Sequence, residues 1–137
     1  MRLPLRILFI AHGVVTAAAG VVLIVAPGLI PSVVQITLPP DANLLPYLLG
    51  SVELGVAVLS IGASRLTDAG AIRLIAVSFA VLHAASAVVE IVALSQGADP
   101  LLWGNVALRV VVAALFAAVA VATGANAVIR GRRDDPE

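Results

Sequence analysis

His83 and Glu90 stand two helical turns apart in FAVLHAASAVVEIVAL (79–94), where the other residues are apolar or small. Hydrocarbon solvates neither group, so each needs a protein partner or a task. Three further segments carry the same kind of intrusion. Glu53 lies in LLGSVELGVAV (48–58), Asn105 and Arg109 in LLWGNVALRVVV (101–112), and His12 with Thr16 in IAHGVVTAAAG (10–20). Two carboxyls, a guanidinium, an amide and two imidazoles in apolar surroundings suit three tasks. A carboxylic acid with a raised pKa protonates an alkene or opens an epoxide while the opposing carboxylate stabilises positive charge or activates water. The same groups bind the polar head of a lipophilic molecule, or relay protons.

Metal and haem chemistry fit less well. His12, His83, Glu53 and Glu90 are ligand types, but no HExxH-like spacing supports them and Arg109 repels a cation. Two histidines on separate helices serve as haem ligands in other proteins; nothing else here points to haem. The reading is therefore of a site without metal and without cofactor. The chain has no cysteine, which removes disulfides, thiolate metal sites and cysteine nucleophiles.

The polar residues share depth and face. At about 1.5 Å per residue, Glu53 and Arg109 both lie roughly 12 Å below the outer boundary, and Glu90 roughly 6–9 Å. His83 and His12 fall near the midplane. On each helix the polar residue shares a stripe with small ones, at spacings of three and four. The stripes are Ala76, Ala80, His83, Ala87, Glu90; Gly50, Glu53, Ala57, Ser60; Asn105, Arg109, Ala113, Phe116; and His12, Thr16, Ala19 or Gly20. Small residues let membrane helices approach closely, so these stripes are expected to face inward.

Energetics point the same way. One charged residue at the centre of a lipid-facing helix costs roughly 2.5–3.5 kcal/mol on insertion scales. Three would cost about 8–10 kcal/mol, comparable to the whole stability of a small protein. Glu53 and Glu90 flanking Arg109 removes much of that cost, with Asn105 and the histidines as hydrogen-bond partners. The arrangement leaves one excess negative charge, so one carboxyl or one histidine holds a proton. Each residue also has a plainer role. Arg109 with one glutamate is a structural staple, His83 and His12 are hydrogen-bonded core histidines, and Asn105 is a helix–helix contact. Trp103 and Tyr47 lie at the outer boundary, where aromatic side chains form a belt.

What must position these groups is a membrane protein. Of 137 residues, 61% are hydrophobic and 12% charged, with a mean hydropathy of +1.13; soluble domains are about a quarter charged. Net charge is zero and no basic patch lies outside the termini, which argues against nucleic acid. Four apolar runs approach the roughly 20 residues that a spanning helix needs: about 5–26, 45–64, 71–94 and 101–125. Residues 127–137 read as a polar cytoplasmic tail. The first run extends to Ala26, too long for a typical cleaved signal core.

Arg2, Arg6, Arg65, Arg73, Arg130, Arg132 and Arg133 fall at the termini and between the second and third runs; the other two connections carry Asp41 and Asp99. By the positive-inside rule both termini are cytoplasmic. RLTDAG and QGADP are short enough to make their flanking helices antiparallel neighbours. Residues 27–44, Pro-rich yet apolar, read as a loop in the outer interface, with a lid over a pocket as the alternative. VTAAAGVVLIVA (15–26) and LHAASAVVEIVA (82–93) align without gaps at an offset of 67, compatible with a two-hairpin duplication.

Length, four runs and Gly/Ala-rich helices resemble the small four-helix bacterial membrane proteins grouped as DoxX-like. The likeness covers most of the chain and rests on general character. In residue type alone, Glu53, Glu90, His83, Trp103 and Asn105 are similar to the inward-facing residues of membrane-embedded sterol isomerases and terpene cyclases. Those families have more spans, and no catalytic assignment is carried over.

The expectation is a single all-α domain: a four-helix transmembrane bundle of the cell membrane, up-down-up-down, with both termini cytoplasmic. Glu53, Glu90, Arg109 and His83 are the candidate catalytic residues, with Asn105, His12, Trp103, Tyr47 and Thr16 as substrate contacts. The expected activity is acid–base conversion of a lipophilic small molecule by isomerisation, cyclisation or epoxide opening, with membrane lipids as the other partners. The rival is a non-catalytic lipid-binding or assembly subunit, or a small proton-coupled transporter, homo-oligomeric in either form.

Overall fold

A computed structural model describes the backbone of residues 3–134 and the side chains of residues 3–124. Arg2 and residues 135–137 of the expected tail lie outside the described residues, as do the side chains of Arg130, Arg132 and Arg133. The described chain is all helical: α1 (Leu3–Val25), α2 (Leu29–Val33), a short 3₁₀ turn (Pro40–Asn43), α3 (Leu44–Ala63), α4 (Ala69–Ser95) and α5 (Leu102–Asp134). Among the described residues, four helical segments are long and apolar enough to cross a membrane: Leu3–Val25, Pro40–Ala63, Ala69–Ser95 and Leu102–Gly124. At 23 residues, α1 extends about 35 Å, against about 30 Å for a hydrocarbon core.

The chain divides into two compact units. The first holds α1, α2, the 3₁₀ turn and α3. Gly20 and Gly50 meet at its centre: a Cβ at either would stand 2.8 Å from the carbonyl oxygen of the other. Nearer the start of α1, a Cβ at Gly13 would stand 3.1 Å from the Ala57 carbonyl, and Phe9 bonds Ser60. Contacts thus run forward along α1 and backward along α3, an antiparallel pair. Apolar side chains gain little from leaving lipid for one another, so glycine contacts bring the backbones within dispersion range instead.

The second unit is the α4–α5 hairpin, also antiparallel. Glu90 meets Arg109, Phe79 meets Phe116, and Arg73 meets Gly124. Phe79 and Phe116 cross edge-to-face at 5.1 Å between ring centroids and fill its middle. The Asp68 carboxylate caps α4, accepting from the Ala71 amide at 2.6 Å, which satisfies one of the orphan donors of the first turn.

The apolar runs and the helices agree to within a few residues, with one informative difference. The fourth run ends near 125, but α5 continues to Asp134. Asn126 and Arg130 end the apolar character and not the helix, because alanine and arginine favour helix and no proline intervenes. Residues 27–44 hold α2, which packs on α1, followed by a turn through Gln35 at φ +60° and the 3₁₀ segment. Leu29, Val33 and Ile36 are exposed.

Candidate functional site

On α4 the stripe of Ala76, Ala80, His83, Ala87 and Glu90 is buried or half-buried throughout, while Val77, Val81, Val88 and Val89 face out. On α5 Asn105, Arg109, Ala113 and Phe116 do the same. Glu90 lies near the end of α4, and Asn105 and Arg109 lie on successive turns near the start of α5. The antiparallel hairpin therefore brings all three to one level.

There the Glu90 Oε1 atom accepts from Arg109 Nε at 2.6 Å and from Asn105 Nδ2 at 2.8 Å. The Arg109 and Glu90 side chains are 25% and 14% exposed, so the ion pair is largely enclosed. Donation to Glu90 assigns the Asn105 amide, turning Oδ1 away as an acceptor. Arg109 meets the carboxylate through one N–H, leaving its terminal N–H groups with no partner among the described residues. The second carboxylate oxygen, Oε2, is buried and accepts no hydrogen bond among the described residues. Arginine and asparagine thus pin one oxygen and hold the other as a directed acceptor in an apolar setting. Such a group can take a proton, hold a hydroxyl, or stabilise positive charge on carbon.

A second polar group lies within the first unit. Ser60 on α3, fully buried, donates to the Phe9 carbonyl at 2.8 Å, and its Oγ lies 3.0 Å from His12 Nδ1. A carbonyl only accepts, so the single serine proton is committed to Phe9. His12 Nδ1 must then carry a proton and donate it to Ser60. The Ser60 proton therefore does not go to the imidazole, as it would in a nucleophilic serine–histidine pair. Sequence reading placed Ser60 on an inward stripe but gave it no partner; its buried position on the Gly50, Glu53, Ala57 face was the available signal.

The remaining expected residues are placed as follows. Thr16 is buried on the inward face of α1. His83 is half-buried on the α4 stripe, two turns inward of Glu90. Glu53 is half-buried on α3, its Cβ 3.2 Å from where a Cβ at Gly20 would stand. Tyr47 and Trp103 are 41% and 55% exposed. Of the expected set, Glu90, Asn105 and Arg109 are brought together within one hairpin. Among the described residues no group of three or more His, Asp or Glu gathers to hold a metal ion.

No known family, curated protein or solved structure matches the chain.

Proposed function

We propose that this is a multi-pass cell-membrane protein, an up-down-up-down bundle with cytoplasmic termini, whose Glu90–Asn105–Arg109 group binds and converts a lipophilic small molecule. The reaction class is acid–base: isomerisation, cyclisation or epoxide opening. One observation carries the reading. Glu90 Oε2 is buried without a described hydrogen-bond partner, while Oε1 is held by both Arg109 and Asn105. A carboxylate serving only to neutralise Arg109 would be expected to spend both oxygens, because an unsatisfied buried acceptor costs about 1–3 kcal/mol.

Arg109 holds Glu90 Oε1, which supports Glu90 as the base or cation-stabilising carboxylate. Asn105 positions Glu90. A polar substrate atom is oriented by the remaining N–H groups of Arg109.

The test is lipid extraction and mass spectrometry on purified wild type and Glu90→Gln protein, followed by turnover of the extracted species. The wild type should carry a defined non-phospholipid species and convert it. Glu90→Gln should lose conversion by at least about 10²-fold, the usual contribution of a positioned base, while keeping its helicity. Glu53→Gln should do the same if Glu53 is the acid. Full activity in both variants, or no lipophile beyond bulk lipid, would overturn the proposal.

A second reading is favoured by the ion pair itself. Nε of Arg109 and Nδ2 of Asn105 both serve Glu90, as in a staple that supports assembly or proton coupling. That reading requires Glu90→Gln to change oligomeric mass or proton uptake in vesicles, with no bound lipophile.

A further inference from the structure

On the α4–α5 hairpin, away from Glu90, a recess of about 300 Å³ opens between the two helices. Ala80 and the buried Ala120 form its floor, and Val77, Val81 and Val121 stand outward as its walls. It spans residues 73–81 of α4, about 12 Å along the helix. In a membrane-crossing helix that direction is parallel to the lipid acyl chains.

At one end stands Arg73, in the second turn of α4. Its guanidinium lies against α5 at Gly124: a Cβ there would stand 3.4 Å from Arg73 Cζ and Nε. Among the described residues Arg73 makes no ion pair and no hydrogen bond. Asp68, the nearest acidic residue in sequence, turns its carboxylate to the Ala71 amide. An apolar channel one chain wide therefore ends at a cation with no partner among the described residues, about 6 Å from the start of a spanning helix, near the level of the headgroups.

We propose that this groove is a binding site for one anionic phospholipid, with an acyl chain between the rows of valines and the phosphate on Arg73. Charge complementarity selects the occupant. A zwitterionic lipid brings its own cation to the same place, and a second copy of this chain would set Arg73 against an apolar face. The inference rests on the membrane placement and not on chemistry at Glu90.

The test uses the full chain, purified in detergent and presented with equimolar dioleoyl phosphatidylglycerol and dioleoyl phosphatidylcholine, with retained lipid counted by native mass spectrometry. The wild type should retain phosphatidylglycerol over phosphatidylcholine by about fivefold, the effect of one arginine at an anionic membrane surface. Arg73→Gln should bring the ratio to about one at unchanged helicity. Ala117→Phe, which places a ring in the groove from its outward edge, should lower retention of both lipids whatever becomes of Arg73→Gln. Equal retention by the wild type overturns the proposal, as does a preference that survives Arg73→Gln. Displacement of the lipid by millimolar inorganic phosphate would mark a site for free anions and also overturn it. Loss of a dimer in Ala117→Phe with lipid retention unchanged would assign the face to self-association instead.

Discussion

At the scale of single residues, hydrogen-bond direction decides more than residue type. His12 is a candidate ligand or relay by type alone. Its Nδ1 is committed to Ser60, whose proton is committed to Phe9. His12 Nδ1 therefore carries a proton, and ¹⁵N spectra of His12-labelled protein should show it there. Ser60→Ala removes the cause, so the two nitrogen signals should shift toward each other or exchange. Stability should fall by about 1 kcal/mol, as for other interhelical hydrogen bonds in membranes. A wild-type ring protonated on Nε2 alone would contradict the assignment. Asn105→Leu makes a parallel case at the other site. It removes one donor to Glu90 Oε1 and should cost about 1 kcal/mol with a larger loss of turnover, since it frees the carboxylate to rotate. Residue types, stripes and the Glu90–Asn105–Arg109 meeting were legible in the sequence, because period and depth fix them. Which atom bonds which was not, because sub-ångström differences in helix rotation decide it.

At the scale of elements, the sequence shows where helices form more clearly than how they touch. The four long apolar helices follow from apolar length, and Pro27, Asp68 and Gly97 punctuate them. The close approach of α1 and α3 does not follow, because glycines at contacts look the same in sequence as glycines on open faces. Gly20 and Gly50 face each other's carbonyls at 2.8 Å, whereas a Cβ at Gly55 would meet nothing within 4 Å. Gly20→Ala or Gly50→Ala should therefore destabilise the protein by about 1–3 kcal/mol through overpacking. Gly55→Ala should be neutral or stabilising by up to about 1 kcal/mol through helix propensity. Unfolding in graded detergent mixtures separates the two classes, and equal effects at all three positions would remove the close-approach argument. The helix ends offer a matched pair. After α4, Ala98 bonds the Ala93 carbonyl and Gly97 bonds Leu94, with Gly97 at φ +98°. After α2, Ile36 bonds Pro31 and Gln35 bonds Ser32, with Gln35 at φ +60°. Both are Schellman caps, but only the first has the glycine that this backbone region favours.

At the scale of the molecule, the two hairpins can be compared at the offset that aligns 15–26 with 82–93. Leu23 on α1 and Glu90 on α4 correspond at that offset. Leu23 packs against Gly50 in its unit, and Glu90 pairs with Arg109 in the other. One antiparallel hairpin packs a leucine on a glycine at this position of its first helix, the other an ion pair, so an antiparallel hairpin does not require an ion pair there. The whole-molecule prediction follows. Glu90→Leu alone strands Arg109, and Arg109→Ala alone strands Glu90; each should cost about 3 kcal/mol, as breaking a buried pair does. The double substitution Glu90→Leu, Arg109→Ala rebuilds the leucine–small contact of the first hairpin. It should recover to within about 1 kcal/mol of wild type, because apolar replacement of a buried pair is often neutral. Its lipophile binding and turnover should stay abolished. A double mutant as unstable as the two singles combined would mean that the charges hold the fold, and the functional assignment of Glu90 would fall with that result.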